Sequence, residues 1–290
     1  MKIAAFELQG SPALGMVVDQ EVAVMAKGDA GGALLSLIEG GVAALDDWNQ
    51  RLAEAERVPL DAIKLVAPAV STRSAIICVG KNYHAHAKEF FGSGFDSSAK
   101  EEVPSQPVIF AKAGSCLVGE GDEVRASLDP TGTVDYEGEL AVVIGKRAHR
   151  VAKEDAFDVV FGYTICNDVT SRELQKRHNQ WLVGKSLDTF GPLGPWIVTA
   201  DEISDVAGME LVTRINGEVR QQAQVRDLIF DIPTLIETLT ATMTLQPGDV
   251  IATGTPAGVG IGFQPPKYLK PGDRMEVSIS GIGTLSNPVV

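Results

Sequence analysis

Apolar and polar positions alternate in three short runs at the start of the chain, KIAAFEL, ALGMVV and EVAVMA, which predicts three strands separated by turns. The stretch that follows, GALLSLIEGGVAALDDWNQRLAEAE, spaces its apolar residues as a helix does, with Gly interruptions. The texture changes near Pro68. From Ile76 onward come short β-rich runs punctuated by Gly, Pro and Asn, without the regular strand–helix alternation of a doubly wound sheet. A boundary near residue 70 is expected, with a small N-terminal α+β domain over 1–70 and a larger unit over 71–290. The larger unit reads as mostly β with some α.

Several local signals sharpen this pattern. Asn216-Gly217 sits between alternating residues in LVTRINGEVRQQ, the signature of a type I′ hairpin. IPTLIETLTATM has helical periodicity, and Pro233 is tolerable there only in the first turn. Two Pro-Gly-Asp turns, at Pro247 and Pro271, each introduce a strand, VIATG and MEVSI. No internal repeat or low-complexity segment is evident.

Composition narrows the function. The chain has 290 residues, a formal charge of -13, 44% hydrophobic and 6% aromatic residues. An acidic balance argues against nucleic acid, whose phosphates demand a basic face. An anionic small substrate remains compatible, because a bound cation reverses the local field. Three scattered cysteines, Cys78, Cys116 and Cys166, suit a reducing compartment rather than a disulfide framework or zinc knuckle. The opening residues lack the apolar core of a signal peptide, and no apolar run approaches a membrane span of about 20 residues. A cytoplasmic protein without nucleic-acid or membrane partners is expected.

The sharpest candidate chemistry lies in VDYEGELAVVIG. Extended backward, the strand from Leu140 puts Glu137 and Glu139 on one face, because alternate side chains share a side. Gly138 between them leaves room on the opposite face. An isolated Glu-x-Glu most often faces water, but this strand runs on into a core-like apolar stretch. Asp168 ends another strand-like run, FGYTICND; alone it would read as a helix N-cap. Three carboxylates without Cys or a neighbouring His would make an oxygen-only site, suited to Mg²⁺, Mn²⁺ or Ca²⁺ rather than zinc.

If the segment from Tyr83 in VGKNYHAHAKEF is helical, His86 and Glu89 are three apart and share a face. A carboxylate beside an imidazole orients it and raises its basicity, as a general base requires; a surface His–Glu pair is an equal alternative. Lys185, in LVGKSLDTFGPLGPW, could steady an anionic substrate or be solvated. TGTPAGVG, residues 253–260, matches neither a Walker loop nor a dinucleotide fingerprint, so nucleotide binding is not expected.

Taken in order, GKNYxxHxxE, DYExEL, GYTxxNDxTxRxxQ, GKSxDTF, NGE and TGTPAGVG resemble the fumarylacetoacetate hydrolase family over roughly residues 71 to 285. The resemblance implies a mixed β-sandwich roll, usually a homodimer. It places Glu137, Glu139 and Asp168 as ligands of Mg²⁺ or Mn²⁺, and His86 with Glu89 as a water-activating dyad on a lid. His84 is not the matching position. Lys185, Arg172, Gln175, Lys112 and Thr255 match residues that line the pocket or support the ligands. The segment FFGSGFDSSAKEEVPSQP after the dyad is expected to shape the far end of the pocket.

The implied reaction is hydrolysis of a carbon–carbon bond in a 2,4-dioxo acid, an acylpyruvate-like compound such as fumarylpyruvate or a sugar-derived 2,4-dioxo acid, with release of pyruvate. A cation would hold the 1-carboxylate and 2-oxo oxygens, and His86 would activate water for attack at C4. Decarboxylation or isomerisation of a small 2-oxo or unsaturated hydroxy diacid on the same site is the alternative. A retaining glycosidase using Glu137 and Glu139 would need carboxylates about 5–5.5 Å apart; the low aromatic content and third carboxylate weigh against it. A non-catalytic, metal-stabilised binding module is the third possibility.

Overall fold

The computed structural model describes residues 1–71, 75–94 and 101–290. The three opening runs are strands β1 (Lys2–Leu8), β2 (Ser11–Val18) and β3 (Glu21–Lys27). The helical stretch after them is α1 (Ala30–Arg51), capped by Asp29, whose side chain accepts from Gly32 N–H. Its glycine interruption is real: Gly41 adopts φ 55°, ψ −139°, and the helix kinks there. Short strands β4 (Arg57–Pro59) and β5 (Lys64–Val66) complete the N-terminal segment.

The remainder alternates strands with brief helices. In order these are β6 (Ile76–Gly80), α2 (His84–Gly92), β7 (Val108–Lys112), β8 (Leu117–Val118), β9 (Val134–Asp135) and β10 (Gly138–Ile144). Then follow β11 (Val160–Asn167), β12 (Thr170–Ser171), α3 (Arg172–Arg177), α4 (Leu182–Lys185) and β13 (Gly191–Thr199). The chain ends with β14 (Glu210–Ile215), β15 (Glu218–Gln224), α5 (Ile232–Thr240), β16 (Val250–Ala252), β17 (Arg274–Ile279) and β18 (Gly283–Pro288).

Turn chemistry falls where the sequence puts it. Asn216 and Gly217 both have positive φ, as a type I′ hairpin requires, and join β14 to β15. Pro233 occupies the first turn of α5, behind the N-cap Asp231. The Pro-Gly-Asp turns lead directly into β16 and β17.

The strands form one large mixed sheet in the order β4-β3-β2-β1-β13-β11-β10-β16-β6-β7, with β5 on β1 and β8 on β13. The contacts β16–β6 and β13–β8 are parallel; the other strand pairs of this sheet are antiparallel. β1 pairs with β13 through Lys2↔Val198 and Ile3↔Ile197, so the N-terminal strands continue the same sheet. A four-stranded antiparallel sheet, β15-β14-β17-β18, packs on one face.

Strand β10 shows why the layers hold together. All seven of its residues are buried, so it reads as a near-continuous apolar run rather than an alternating one. Leu140, Val142 and Ile144 pack with Leu211, Val277 and Leu285 of the second sheet and with Leu235 and Leu239 of α5. Ala141 and Val143 point the other way, into a cluster with Leu34, Leu37 and Ile38 of α1. Burying a large aliphatic side chain contributes about 1.5–3 kcal/mol. A strand fixed from both faces is therefore a rigid base for the acidic residues at its N-terminal end.

Candidate active site

Glu137 and Glu139 flank Gly138 at the start of β10, and Asp168 follows the end of β11, the neighbouring antiparallel strand. Gly138 is paired with Asn167, which brings the three acids to one end of the strand pair. Asp168 N–H donates to the Glu137 carbonyl at 2.8 Å, and Glu137 N–H donates to Asn167 Oδ1 at 3.0 Å. Gly138 is needed on the opposite face: a Cβ there would meet Thr213 Oγ1 at 2.3 Å and Val277 Cγ1 at 2.9 Å. All three carboxylates are buried, and one oxygen from each lies within 4.8 Å of the others.

Three cations of the chain surround this acidic group. Lys185 Nζ donates to Glu137 Oε2 at 2.6 Å and to Asp168 Oδ2 at 2.7 Å. Arg172 Nη1 pairs with Glu137 Oε1 at 2.6 Å. Lys112 Nζ lies 2.7 Å from Asp168 Oδ1 and donates to the carbonyls of Val169 and Lys185. Asp168 Oδ1 nevertheless accepts no aligned hydrogen bond. Glu139 is left to the Gly254 N–H, which reaches its Oε2 at 2.9 Å.

The two glutamates are driven apart by these surroundings. Burial pushes both carboxyls up, but Lys185 and Arg172 more than offset it at Glu137 and hold that acid below the usual range. At Glu139 burial is reinforced by the negative charges of Asp168 and Glu137, which push it well above that range. Burial would lower Lys112 and Lys185, yet the adjoining carboxylates raise both.

The donor set fits a hard divalent cation. It is oxygen-only and buried, it includes a carboxylate oxygen without an aligned donor, and it holds like charges that a cation would relieve. Glu137, Glu139 and Asp168 could hold such an ion.

The histidine–carboxylate pair is on α2, which is helical from His84 with Tyr83 as its N-cap, the condition under which the two residues share a face. His86 Nδ1 faces Glu89 Oε2 at 3.4 Å, which leaves Nε2 for other partners. His86 is buried, whereas His84 is exposed. The ring stacks on Phe90, with centroids 5.9 Å apart. Glu89 also accepts from Gly258 N–H, so α2 is docked on the loop after β16.

His86 and the two glutamates of the triad open onto one cavity of about 270 Å³, which neither Asp168 nor Glu89 lines. His86, Glu137, Glu139, Arg172, Gln175, Lys185 and Thr255 line it. Lys112 does not reach the cavity; it stands behind Asp168. Glu89 likewise acts from behind His86. Arg172 Nε donates to Asp135, Nη1 donates to Gln175 Oε1 at 3.2 Å, and Nη2 is buried without a hydrogen-bond partner. Thr255 Oγ1 accepts from Gln221 Nε2 at 2.7 Å, which leaves its own hydrogen to be donated.

Some contributors carry no local sequence signal. Phe90, Phe110 and Trp181 form an apolar wall, with Trp181 edge-on to both phenylalanines at 6.0 and 5.1 Å. Asp135, fully buried, accepts from Tyr136, Gly260 and Ile261 N–H groups and from Arg172 Nε. Its place in the DYExEL motif was the available clue. Of the segment expected to shape the far end of the pocket, residues 95–100 lie outside the described residues. From its described part, the Glu101 carbonyl accepts from Lys81 Nζ, a further lining residue, at 2.9 Å.

Among the described residues no helix is long and apolar enough to cross a membrane.

Comparison with known proteins places this geometry. Residues 75–290 match the model of the fumarylacetoacetate (FAA) hydrolase C-terminal domain. Oxaloacetate tautomerase YisK of Bacillus subtilis is 43% identical over 308 aligned positions that cover all of both chains. A fumarylacetoacetate hydrolase from psychrophilic Exiguobacterium antarcticum superposes with a TM-score of 0.83 at 41% identity, covering 100% of this chain and 99% of that one. Maleylpyruvate hydrolase from Sphingobium sp. SYK-6, in complex with manganese(II) and pyruvate, superposes with a TM-score of 0.80 at 34% identity, with the same coverage.

Proposed function

The chain belongs to the fumarylacetoacetate hydrolase family, and from that premise we propose that it is a divalent-metal-dependent enzyme that moves a proton at C3 of a small 2-oxo acid. The reaction favoured is keto–enol tautomerisation of a four-carbon 2-oxo diacid such as oxaloacetate. The observation that carries the reading is a cavity shared by the oriented His86 imidazole, by Glu137 and Glu139 of the acidic triad, and by Arg172, whose Nη2 has no hydrogen-bond partner. The full-length relative in Bacillus subtilis, an oxaloacetate tautomerase, supports the choice of substrate.

Each residue has a role in this scheme. Glu137, Glu139 and Asp168 would hold Mg²⁺ or Mn²⁺, which would supply Lewis acidity toward the bound 2-oxo acid. Arg172 Nη2 offers a buried, charged donor for a carboxylate, and Gln175 fixes the guanidinium. His86 Nε2 takes the C3 proton in the keto-to-enol direction and delivers it to the C2 oxygen, and in the reverse direction it carries the enol proton back to C3, while Glu89 holds the ring. Negative charge develops on the C2 oxygen, where the Lys185 ammonium and Thr255 hydroxyl face the same space. The Phe90–Phe110–Trp181 wall excludes water from that charge.

Hydrolysis of the C3–C4 bond of a 2,4-dioxo acid is the second reading. The same dyad would deprotonate a water instead of C3. Likeness to the maleylpyruvate hydrolase that holds manganese and pyruvate favours it.

Ultraviolet decay of enol-oxaloacetate, followed with Mn²⁺, with Mg²⁺ and with chelator, tests the first reading. Pyruvate release from a panel of acylpyruvates tests the second. Metal-dependent acceleration of the decay is expected. Decay at the uncatalysed rate, beside rapid pyruvate release, would replace tautomerisation by hydrolysis.

A further inference from the structure

Glu89 is held from two sides. Its Oε2 faces His86 Nδ1 at 3.4 Å, and Gly258 N–H lies 3.1 and 3.2 Å from its two oxygens. The carboxylate also fills the space where a side chain at position 262 would begin. A Cβ on Gly262 would stand 1.8 Å from Glu89 Oε1, 2.3 Å from Cδ and 2.6 Å from Cγ.

Gly262 closes a single 3₁₀ turn, Gly260–Gly262, and its φ is outside the left-handed region, so its backbone accepts any L residue. Glycine is therefore required here by its neighbour, not by the turn. The three nearest atoms all belong to Glu89, a flexible side chain that an alanine would simply displace. The turn itself is fixed from beneath, where Gly260 and Ile261 N–H groups donate to Asp135 at 2.6 and 3.0 Å. Asp135 in turn holds Arg172, and Arg172 pairs with Glu137.

We propose that the Gly258–Gly262 turn is a seat for the Glu89 carboxylate and that Gly262 is a positioning residue, orienting His86 through the space it leaves to Glu89. The assignment rests on the reading of His86 and Glu89 as the proton-moving dyad. A reaction that needs the oriented imidazole then depends on position 262, although Gly262 does not line the cavity.

A double-mutant cycle in the Mn²⁺-loaded protein tests this, using Gly262→Ala, Glu89→Ala and the pair. Turnover of enol-oxaloacetate, or of whichever 2-oxo acid the wild type processes, is read together with hydrogen exchange at the Gly258 amide, which needs no substrate. Gly262→Ala should lower kcat about 10–100-fold, a part of what losing a general base costs, with KM and Mn²⁺ affinity little changed. Added to Glu89→Ala, it should lower kcat no further, as expected of two changes acting through one contact. The Gly258 amide should lose protection in both single variants.

Unchanged kcat in Gly262→Ala would overturn the proposal, as would an equal further loss in the Glu89→Ala background. If the wild type turned over no 2-oxo acid, loss of Gly258 protection in both variants would still uphold the seat while the reaction fell. Protection unchanged by Glu89→Ala, which leaves the turn intact, would sink the seat whatever the reaction and even if Gly262→Ala did not fold.

Discussion

The Lys185 ammonium lies 2.6 Å from Glu137 Oε2, inside the group of carboxylates that would receive a cation. It bridges to Asp168 as well and so relieves part of the repulsion that a metal would otherwise relieve alone. A metal and Lys185 therefore oppose each other, because like charges held this close repel. Lys185→Met should bind Mn²⁺ as tightly as the wild type, or up to about tenfold more tightly, yet lose 100-fold or more in kcat. Calorimetry and steady-state kinetics on one preparation decide it. A tenfold fall in Mn²⁺ affinity would make Lys185 a shaper of the ligands instead.

Glu139 is the acid of the triad with no ion pair, and burial with two negative neighbours pushes its carboxyl well up. Without metal, burying this acid beside two carboxylates costs stability, whereas a bound metal would need its charged form. Glu139→Gln should thus raise the melting temperature of the metal-free protein by about 2 °C or more, and nearly abolish the further rise that Mn²⁺ gives the wild type. Glu137→Gln should lose the same metal response without that gain, because Lys185 and Arg172 would be left beside a neutral amide. Differential scanning calorimetry with and without Mn²⁺ separates the two. Equal metal-induced shifts in both variants and wild type would remove these residues from the ligand set.

Much of this site was legible because it is written in local order. The alternation around Gly138 put Glu137 and Glu139 on one side before any fold was known, and the spacing of His86 and Glu89 needed only one turn of helix. What escaped were relationships made by the fold. Asp135 reads as one more carboxylate beside Glu137; that it fastens Gly260, Ile261 and Arg172 follows from segments more than thirty positions away. The wall of Phe90, Phe110 and Trp181 is assembled from α2, β7 and the start of α4, and none of the three announces a pocket by itself. Gly262 looks like any turn glycine until the carboxylate beside it is seen. The joining of β1 to β13 had no signal either, since β pairing between distant strands leaves no local pattern.

Glu120 predicts a pH dependence unrelated to catalysis. Half-buried, it accepts from Ser286 N–H at 2.6 Å, and burial pushes its carboxyl from 4.5 up to about 7 despite that bond and nearby Arg274. A carboxyl raised in the folded state binds its proton more tightly there than in the unfolded chain. Its stabilising contribution is therefore complete below pH 4.5 and lost as the pH rises through 7. The loss should be about 1–2 kcal/mol, less than the whole shift implies because the group is partly solvated. Glu120→Gln keeps the acceptor and removes the titration, so its advantage over wild type in urea unfolding should grow between pH 5 and pH 8. An advantage that did not change with pH would show that Glu120 does not titrate in this range.

His86→Ala separates the chemistries that the cavity could support. Tautomerisation needs a base at C3 and hydrolysis needs a base for water, and in both proposed readings the imidazole beside Glu89 would supply it. Loss of a general base costs about 10²–10⁴-fold, and the apolar wall leaves little room for a substitute. Decarboxylation of oxaloacetate differs, because the electrons left by departing CO₂ need stabilisation but no proton has to be removed from C3. Acceleration of enol-oxaloacetate decay and hydrolysis of acylpyruvates should thus fall together in His86→Ala, while any metal-dependent release of CO₂ should survive largely intact. All three rates can be followed on one preparation, by ultraviolet absorbance, coupled pyruvate detection and CO₂ release. Full tautomerisation in the variant would remove His86 from the reaction and leave a different group on the cavity wall as the proton carrier. A variant that lost all three equally would point to His86 holding the substrate rather than moving its proton.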